Sequence, residues 1–266
     1  HGSSAASDVY KRQTQHSVKT LMESGINADV LVCRTEHELS DDLRKKLALF
    51  CNVEVEAVIQ SIDVKTIYDV PILMYEEGLD KVVMKRLEIN LDTKPDLTQW
   101  QSFLKRHKHP KSSVTIGLIG KYVELQDSYK SILESFVHAG AANEVEVKVV
   151  PIHSSDLDEK DVHKKFESFD GVLVAPGFGE RGIEGKINAI KYVREQKIPF
   201  FGICLGMQMA VIEYARNVLQ LPSANSVEMD ADTPHPVISP MDEQRNSANN
   251  GGTLRLGAWA CASEPT

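Results

Sequence analysis

The residue of this sequence best suited to covalent chemistry is Cys204, which stands midway between Gly202 and Gly206. An apolar run at 198–203 predicts a buried strand, and apolar residues at helical spacing predict a helix over 205–219. A strand that turns directly into a helix leaves no room for side chains beside the turn, so glycine is expected on both sides. The thiol would then lie at a helix N-terminus, where the helix dipole favours the thiolate. The apolar positions expected on or near one face of this helix are Met207, Val211, Ile212, Ala215 and Val218.

A buried, unreactive thiol is the alternative interpretation of Cys204, because free cysteines are usually buried. The longer string around it favours a nucleophile. Residues 199–208 (PFFGICLGMQ) closely resemble the nucleophile segment of class I glutamine amidotransferases, and together with 213–217 (EYARN) they resemble the CTP synthase family in particular. The resemblance implies a C–N ligase that makes CTP from UTP, ATP and glutamine.

Length and composition describe an ordinary soluble protein with room for one large or two small domains: 266 residues, 42% hydrophobic and 26% charged. The net charge of −8 argues against a non-specific nucleic-acid binder. We expect no membrane partner, because no apolar run approaches a membrane span and the N-terminus lacks an apolar signal segment. The four cysteines contain no C-x-x-C pair, which excludes a zinc ribbon and favours a reducing, cytoplasmic location.

The N-terminal third alternates helices and strands after an opening segment without periodicity. We interpret residues 1–13 as a non-native tag or junction. The elements predicted after it are a helix at 14–24, a strand at 28–33, a helix at 41–51, a strand at 58–62, and one or two helices within 67–87, broken near Gly78 and Leu79.

Residues 14–89 resemble the C-terminal part of the α/β amidoligase domain of CTP synthases, through strings such as TQHS at 14–17 and DVLVCR at 29–34. The resemblance implies that Gln15 and Lys46 contact UTP or the product CTP. It also implies that ATP lies beside Arg34, Ile62, Asp63 and Val64. Without the resemblance, Lys46 would be a solvated helix lysine and Asp63 a turn residue. The family's glycine-rich, lysine-bearing phosphate loop has no counterpart in the printed sequence.

A polar, charged stretch at 90–112 predicts an interdomain linker around a short helix at 97–106. From residue 113 strands and helices alternate again, which predicts a flavodoxin-like parallel sheet with helices on both faces. The predicted strands of this domain are 114–120, 145–152, 171–175 and 198–203, and the predicted helices are 128–138, 159–166, 184–195 and 205–219. Ligands in such folds bind at the carboxyl ends of the strands, where Gly177 and Cys204 both fall.

Hydrolysis of an amide needs a nucleophile and donors for the developing oxyanion. Cys204 is the predicted nucleophile, and the N–H of Leu205 points to the oxyanion position. Gly177 is the second predicted donor, because Pro176 before it has no N–H. The alternative for this loop is an ordinary strand-to-helix turn.

The family resemblance adds further residues around glutamine and an effector. It implies that Gly206, Met207 and Gln208 belong to the glutamine-binding segment, that Glu228 takes the α-ammonium group, and that Arg255 contacts the substrate. It also matches Arg181, Gly182 and Glu184 to residues implicated in activation by GTP. Unlike Gly206, the loop position Gly182 is expected to have room for a side chain.

Related amidotransferases supply their general base from a His-x-Glu pair, whereas His235, the histidine after Cys204, has no glutamate two residues on. We therefore expect a fragment cut at both ends, with an incomplete triad and no metal ligands of its own. The intact enzyme is expected to be a cytoplasmic homotetramer that uses ATP with Mg²⁺, is activated by GTP, and holds no covalent cofactor. The alternatives are the glutaminase part of another amidotransferase, or a non-catalytic regulatory protein with the same fold.

Overall fold

The computed structural model describes residues 2–89 and 94–240. The chain divides into two compact units, His1–Lys105 and Arg106–Thr266. The division falls inside the predicted linker at 90–112. Within the described ranges, no helix is long and apolar enough to cross a lipid bilayer.

The first unit contains a two-stranded parallel sheet with helices around it. Its elements are α1 (Gly2–Glu23), β1 (Leu31–Thr35), α2 (Asp41–Cys51), β2 (Val58–Ile62), α3 (Val70–Glu76), α4 (Leu79–Arg86) and α5 (Thr98–Lys108), which crosses the division. Strand β1 pairs with β2 from Leu31↔Val58 to Thr35↔Ile62, and α2 forms the crossover between them. The Ser40 side chain caps α2 by accepting a hydrogen bond from the Leu43 N–H.

The predicted boundaries hold for α2 and β2 but not for α1. That helix begins at Gly2 rather than at residue 14. Residues 3–13 contain neither proline nor glycine, so nothing in the sequence stops a helix from extending through them. The predicted break near residue 78 is confirmed, because Gly78 adopts φ 78° between α3 and α4.

The second unit contains the predicted parallel sheet. Its elements are β3 (Ser112–Gly120), α6 (Lys130–Asn143), β4 (Val145–His153), α7 (Glu159–Phe166), β5 (Gly171–Val174), α8 (Ile183–Glu195), β6 (Phe200–Gly202), α9 (Leu205–Asn217), β7 (Ala224–Ser226) and β8 (His235–Ile238). The main sheet has the order β4-β3-β5-β6 with every pair parallel. This arrangement confirms the predicted flavodoxin-like architecture.

Adjacent residues of a strand point to opposite faces of the sheet. Both faces of this sheet therefore carry apolar side chains, and helices cover both. Ile119 and Val174 pack with buried residues of α7, α8 and α9. Their neighbours Leu118 and Leu173 pack on the other face, against partly buried residues of α6 such as Phe136. The two apolar clusters hold the carboxyl ends of β3 and β5 in fixed positions.

Strands β7 and β8 form a separate parallel pair that the sequence analysis missed. Both strands are short, and their Asn, Ser and Pro residues have low strand propensity.

The buried face of α9 also differs from the predicted one. Leu205, Met209, Ile212 and Ala215 are buried, whereas Met207 is 50% exposed. Helical spacing predicted the helix correctly, but apolar residues occur on more than one of its faces.

An ion pair with a buried carboxylate fixes α9 against α8. The side chain of Glu213 on α9 is 1% exposed and lies 2.8 Å from Nη2 of Arg194 on α8. The Arg194 Nε also donates to both carboxylate oxygens, at 3.1 and 3.0 Å. The hydrogen bonds that Arg194 donates to Glu213 raise the pKa of Arg194 above its ordinary value. Since both oxygens are used, the pair fixes the orientation of the helix that begins at Leu205.

Candidate active site

Cys204 occupies the N-cap position of α9, and Ile203 alone separates it from the end of β6. Its backbone has φ 53° and ψ −109°, an unfavourable conformation for a residue with a side chain. The Ile203 N–H donates to the Val174 carbonyl at 3.0 Å, and the Gln208 N–H donates to the Cys204 carbonyl at 3.1 Å. The thiol is exposed, in contrast to the buried thiols of Cys33 and Cys51. The interpretation of Cys204 as a buried core residue is therefore wrong.

The two glycines beside Cys204 are required by close backbone contacts. A Cβ on Gly202 would lie 2.6 Å from the backbone carbon of Gly206, and a Cβ on Gly206 would contact the Val174 carbonyl oxygen at 2.2 Å. This confirms the predicted strained turn. The expected room at Gly182 is wrong, because that residue has φ 76° and its Cβ would lie 2.3 Å from Ser154 Oγ.

The loop of residues 175–182, here called the Gly177 loop, follows β5 and lies beside the start of α9. A Cβ on Gly177 would be 3.6 Å from Leu205 Cδ2, so these two predicted oxyanion donors belong to neighbouring backbone segments. Lys121 Nζ donates to the carbonyl oxygens of Phe178 and Gly179, the latter at 2.6 Å. The loop is therefore anchored from the carboxyl end of β3.

Charged residues from three parts of the second unit meet around Lys121, which is 3% exposed. Burial lowers the pKa of Lys121, the Arg181 charge lowers it further, and Glu228 raises it. Arg181 Nη2 also donates to the Lys121 carbonyl at 3.4 Å. The structure thus places the predicted residue Arg181, itself part of the Gly177 loop, and the predicted residue Glu228 around the same lysine.

Lys186 on α8 is a second buried lysine in this region. It is 0% exposed, and its Nζ has no hydrogen-bond partner among the residues that the structure describes. Its Nζ would lie 3.8 Å from a Cβ on Gly177. The pKa of Lys186 is lowered to about 8: burial is the main cause, the charge of Lys121 acts in the same direction, and Cys204 opposes both effects.

Sequence reasoning missed both Lys121 and Lys186, although each had a usable signal. Lys121 directly follows an apolar strand, at the edge of the sheet where ligands bind. Lys186 lies one residue before Ile187 and three after Ile183, on the apolar side of its helix. A lysine at such a position is either buried or extends to the surface, and the sequence does not distinguish the two.

The remaining predicted residues of this unit are dispersed. Glu184 pairs with Arg216 of α9, with Nη1–Oε1 and Nη1–Oε2 distances of 3.0 and 3.2 Å. Gln208 is half-buried in the first turn of α9. His235 lies on β8, paired with Ala224. Arg255 is outside the described residues.

In the first unit, the residues matched to ATP binding lie together at the carboxyl ends of β1 and β2. Arg34 Nε is 2.8 Å from Asp63 Oδ1, and this hydrogen bond raises the pKa of Arg34 above its ordinary value. The Asp63 N–H donates to the Thr35 carbonyl at 2.9 Å. Ile62 and Val64 flank Asp63 along the chain, so all four assigned residues are grouped at one sheet edge.

The two residues matched to UTP or CTP lie on α1 and α2. The Gln15 Nε2 is buried without a hydrogen-bond partner within 2–89 and 94–240, and Lys46 is exposed. A buried amide without a partner can donate a hydrogen bond to a ligand, and an exposed ammonium group can form an ion pair with a phosphate.

Comparison with family models places the chain in a known class of proteins. Residues 124–261 match the model described as glutamine amidotransferase class-I, and residues 3–89 match the CTP synthase N-terminus. The chain therefore belongs to the class I glutamine amidotransferase family. The N-terminal match begins within the segment predicted to be non-native.

Within that family the chain is similar to CTP synthases along both of its units. It is 67% identical over 258 residues to CTP synthase of Christiangramia forsetii, covering 97% of this chain and 47% of the relative. It is 65% identical over 261 residues to that of Flavobacterium johnsoniae, covering 98% of this chain and 49% of the relative. The chain thus spans about half the length of the curated relatives it matches.

A solved structure is also similar to part of the chain. The structure is titled "Trypanosoma brucei CTPS - glutaminase domain with bound acivicin". The match covers 50% of this chain and 52% of the chain in that structure, at 39% sequence identity and a TM-score of 0.48. Because residues 3–89 match the CTP synthase N-terminus, the alternative interpretation of this chain as the glutaminase part of another amidotransferase is disfavoured.

Proposed function

We propose that Cys204 is the nucleophile that hydrolyses the side-chain amide of glutamine. Its Sγ attacks the amide carbon, ammonia leaves, and water then cleaves the resulting thioester to glutamate. The observation that carries this proposal is the strained backbone of Cys204, which presents an exposed thiol at the start of α9. Such strain persists where a functional geometry requires it.

The groups around the thiol have distinct roles in this proposal. The N–H groups of Leu205 and Gly177 stabilise the oxyanion, supported by the close approach of the two segments. Glu228 binds the α-ammonium group of glutamine, supported by its position near the site. Arg255 contacts the substrate, and Gly206, Met207 and Gln208 form the segment under it.

We further propose that the ammonia serves CTP synthesis in the whole protein. ATP, accompanied by Mg²⁺, would phosphorylate UTP, and ammonia would displace the phosphate to give CTP. The grouping of Arg34 and Asp63 at one sheet edge supports an ATP site there. Gln15 and Lys46 are assigned to UTP or CTP.

The proposal includes regulation and assembly of the whole protein. GTP would activate it through Arg181, Gly182 and Glu184, and the assembly would be a cytoplasmic homotetramer. Arg181 is the best supported of the three, because its guanidinium lies against the Lys121 carbonyl beside the Gly177 loop. The Glu184 carboxylate accepts a hydrogen bond from Arg216. GTP could therefore contact Glu184 only after this ion pair breaks.

A chloroketone analogue of glutamine tests the nucleophile. The full chain is incubated with the reagent, and mass spectrometry maps the modified residue. We expect one adduct on Cys204, slowed by added glutamine and lost in Cys204→Ala. Cys51→Ala is the matched control, because burial raises the pKa of Cys51 and keeps that thiol unreactive.

Two outcomes would contradict the proposal. Modification spread evenly over the cysteines would show that Cys204 is not activated. An adduct on Cys204 that glutamine does not slow would show a reactive thiol without a glutamine site, as expected for a non-catalytic protein with this fold.

A further inference from the structure

Lys121 is a buried lysine whose ammonium group contacts backbone carbonyls of the Gly177 loop. The residue is 3% exposed, and its Nζ donates to the carbonyl oxygens of Phe178 and Gly179, the latter at 2.6 Å. A buried ammonium group is unfavourable unless it is hydrogen-bonded, and an apolar side chain would fill the same space without that cost. The two hydrogen bonds to the loop therefore distinguish lysine from an apolar residue at this position.

The backbone of residues 177–179 has few other contacts that fix its conformation. Phe178 is 78% exposed. Gly179 has φ 71°, and no atom lies within 4 Å of the position that a Cβ there would occupy. Across the part of the chain that the structure describes, the backbone groups of 177–179 form no hydrogen bond besides the two from Lys121. The conformation of this short segment therefore depends on the Lys121 side chain.

Lys121 is itself fixed at both ends of its side chain. Its backbone N–H donates to the hydroxyl of Tyr129 at 3.0 Å, and Tyr129 belongs to the apolar cluster on the α6 side of the sheet. The aliphatic stem runs beside Gly177, since its Cδ would lie 4.0 Å from a Cβ at that glycine. On its other side Gly177 approaches Leu205, whose Cδ2 would be 3.6 Å from the same Cβ. The lysine thus connects the end of β3 to the segment that lies against the start of α9.

We propose that Lys121 is a positioning residue that holds the Gly177 N–H towards the reacting carbonyl of glutamine. This inference rests on the proposed roles of Cys204 as nucleophile and Gly177 as oxyanion donor. The two hydrogen bonds keep the carbonyl oxygens of Phe178 and Gly179 on the ammonium group. Without them these peptide groups can rotate, and the N–H of the adjoining Gly177 moves with them. An oxyanion is stabilised only by donors that already point to it, so a displaced N–H slows the reaction without changing the thiol.

The proposal is tested with two reagents on the full chain. A chloroketone analogue of glutamine presents a ketone oxygen to the two donors, whereas iodoacetamide alkylates the thiol by direct displacement and needs neither. For the chloroketone, the maximal rate constant of Cys204 modification (kinact) and the concentration that gives half of it (KI) are measured by peptide mapping. We expect Lys121→Met and Lys121→Gln to lower kinact about tenfold or more, while KI and the iodoacetamide rate stay within about twofold of the parent values.

Lys165→Met is the matched control, because Lys165 also donates to a backbone carbonyl, that of Asp156, but at an exposed position of α7. It should leave kinact, KI and the iodoacetamide rate at the parent values.

Four results would overturn the inference. An unchanged kinact in both Lys121 variants, with Cys204 still modified selectively, would refute the role of Lys121 and leave the nucleophile intact. An equal loss in the iodoacetamide rate would show that the variants disturb the thiol rather than the loop. Unfolding of both variants, seen by circular dichroism, would show that the whole unit rather than the loop requires the lysine. Chloroketone modification spread over all cysteines of the parent chain would refute the nucleophile itself.

Discussion

At the scale of single residues, this site combines two features that oppose stability. Cys204 holds a backbone conformation that a residue with a Cβ rarely adopts, and Lys186 keeps a buried amine without a hydrogen-bond partner in the described part of the chain. Features of this kind are retained where chemistry requires them, and other contacts compensate for their cost. Both lie in the second unit, close to the Gly177 loop.

The stability of the chain should depend on pH through Lys186. The pKa of Lys186 in the folded chain is about 8, below the ordinary value of 10.5. Between these values the unfolded chain binds more protons than the folded chain, so stability rises with pH in this window and the penalty is fully present below pH 8. Lys186→Met should therefore stabilise the chain at pH 7 by about 1–3 kcal/mol and by less near pH 10. Urea unfolding at the two pH values measures this difference.

Lys191→Met is the control for that measurement, because it removes a lysine from the same helix without removing a fully buried one. Its effect should be small and similar at both pH values. A Lys186→Met variant that is less stable at pH 7, by an amount independent of pH, would show that Lys186 contributes favourable packing in either protonation state.

At the scale of elements, the junction of β6 and α9 depends on contact with β5. Gly206→Ala should lower the free energy of unfolding by about 2–4 kcal/mol, because the added Cβ would contact the Val174 carbonyl. Alanine has a higher helix propensity than glycine, but this gain offsets little of the cost. Gly177→Ala is the matched control for stability, since its Cβ meets its nearest neighbour at 3.6 Å. Chemical denaturation of both variants measures the effect, and equal midpoints would mean that the junction is not tightly packed.

The ion pairs between α8 and α9 lead to a second prediction at this scale, on how much each pair contributes to stability. Glu213→Gln should cost roughly 3 kcal/mol, because it removes the buried carboxylate charge that pairs with Arg194 and leaves that guanidinium only the more exposed Glu195, at 3.6 Å. Glu184→Gln should cost about 0.5 kcal/mol or less, because the Glu184 side chain is 70% exposed in its pair with Arg216. Thermal unfolding of the two variants compares the pairs. A larger loss for Glu184→Gln would contradict the ranking of buried over exposed pairs.

At the scale of the whole molecule, the contacts that form the candidate site all lie in one unit. Cys204, Gly177, Lys121, Lys186 and Glu228 belong to Arg106–Thr266. This unit has its own apolar clusters on both faces of its sheet. The residues assigned to ATP and UTP belong to the other unit.

Residues 106–266 should therefore fold and retain Cys204 reactivity without residues 1–105. We expect an alkylation rate at pH 7 within about twofold of the full chain, since a unit with its own core folds independently. Iodoacetamide labelling and far-ultraviolet circular dichroism test this. A folded full chain beside an unfolded 106–266 segment would show that the second unit depends on the first.

Local patterns in the sequence predicted much of the fold correctly. The helix at 41–51 and the strand at 58–62 have the predicted boundaries because spacing and capping residues define them locally. The glycines beside Cys204 predicted the strained turn for the same reason, since a direct strand-to-helix junction excludes side chains at those positions. Strands β7 and β8 lacked such a signal, because their sequences favour turns.

The tertiary structure decided which side chains meet at the Gly177 loop. Lys121 and Lys186 are 83 and 18 residues from Cys204 in the printed sequence, and neither belongs to a local motif. They meet near the Gly177 loop because the strand order places β3 and β6 on either side of β5, and α8 packs over that part of the sheet. Helical spacing likewise left the buried face of α9 undetermined, because apolar residues lie on more than one face. Local spacing determined that Cys204 is presented at a turn, and long-range packing determined which charged residues lie at the Gly177 loop.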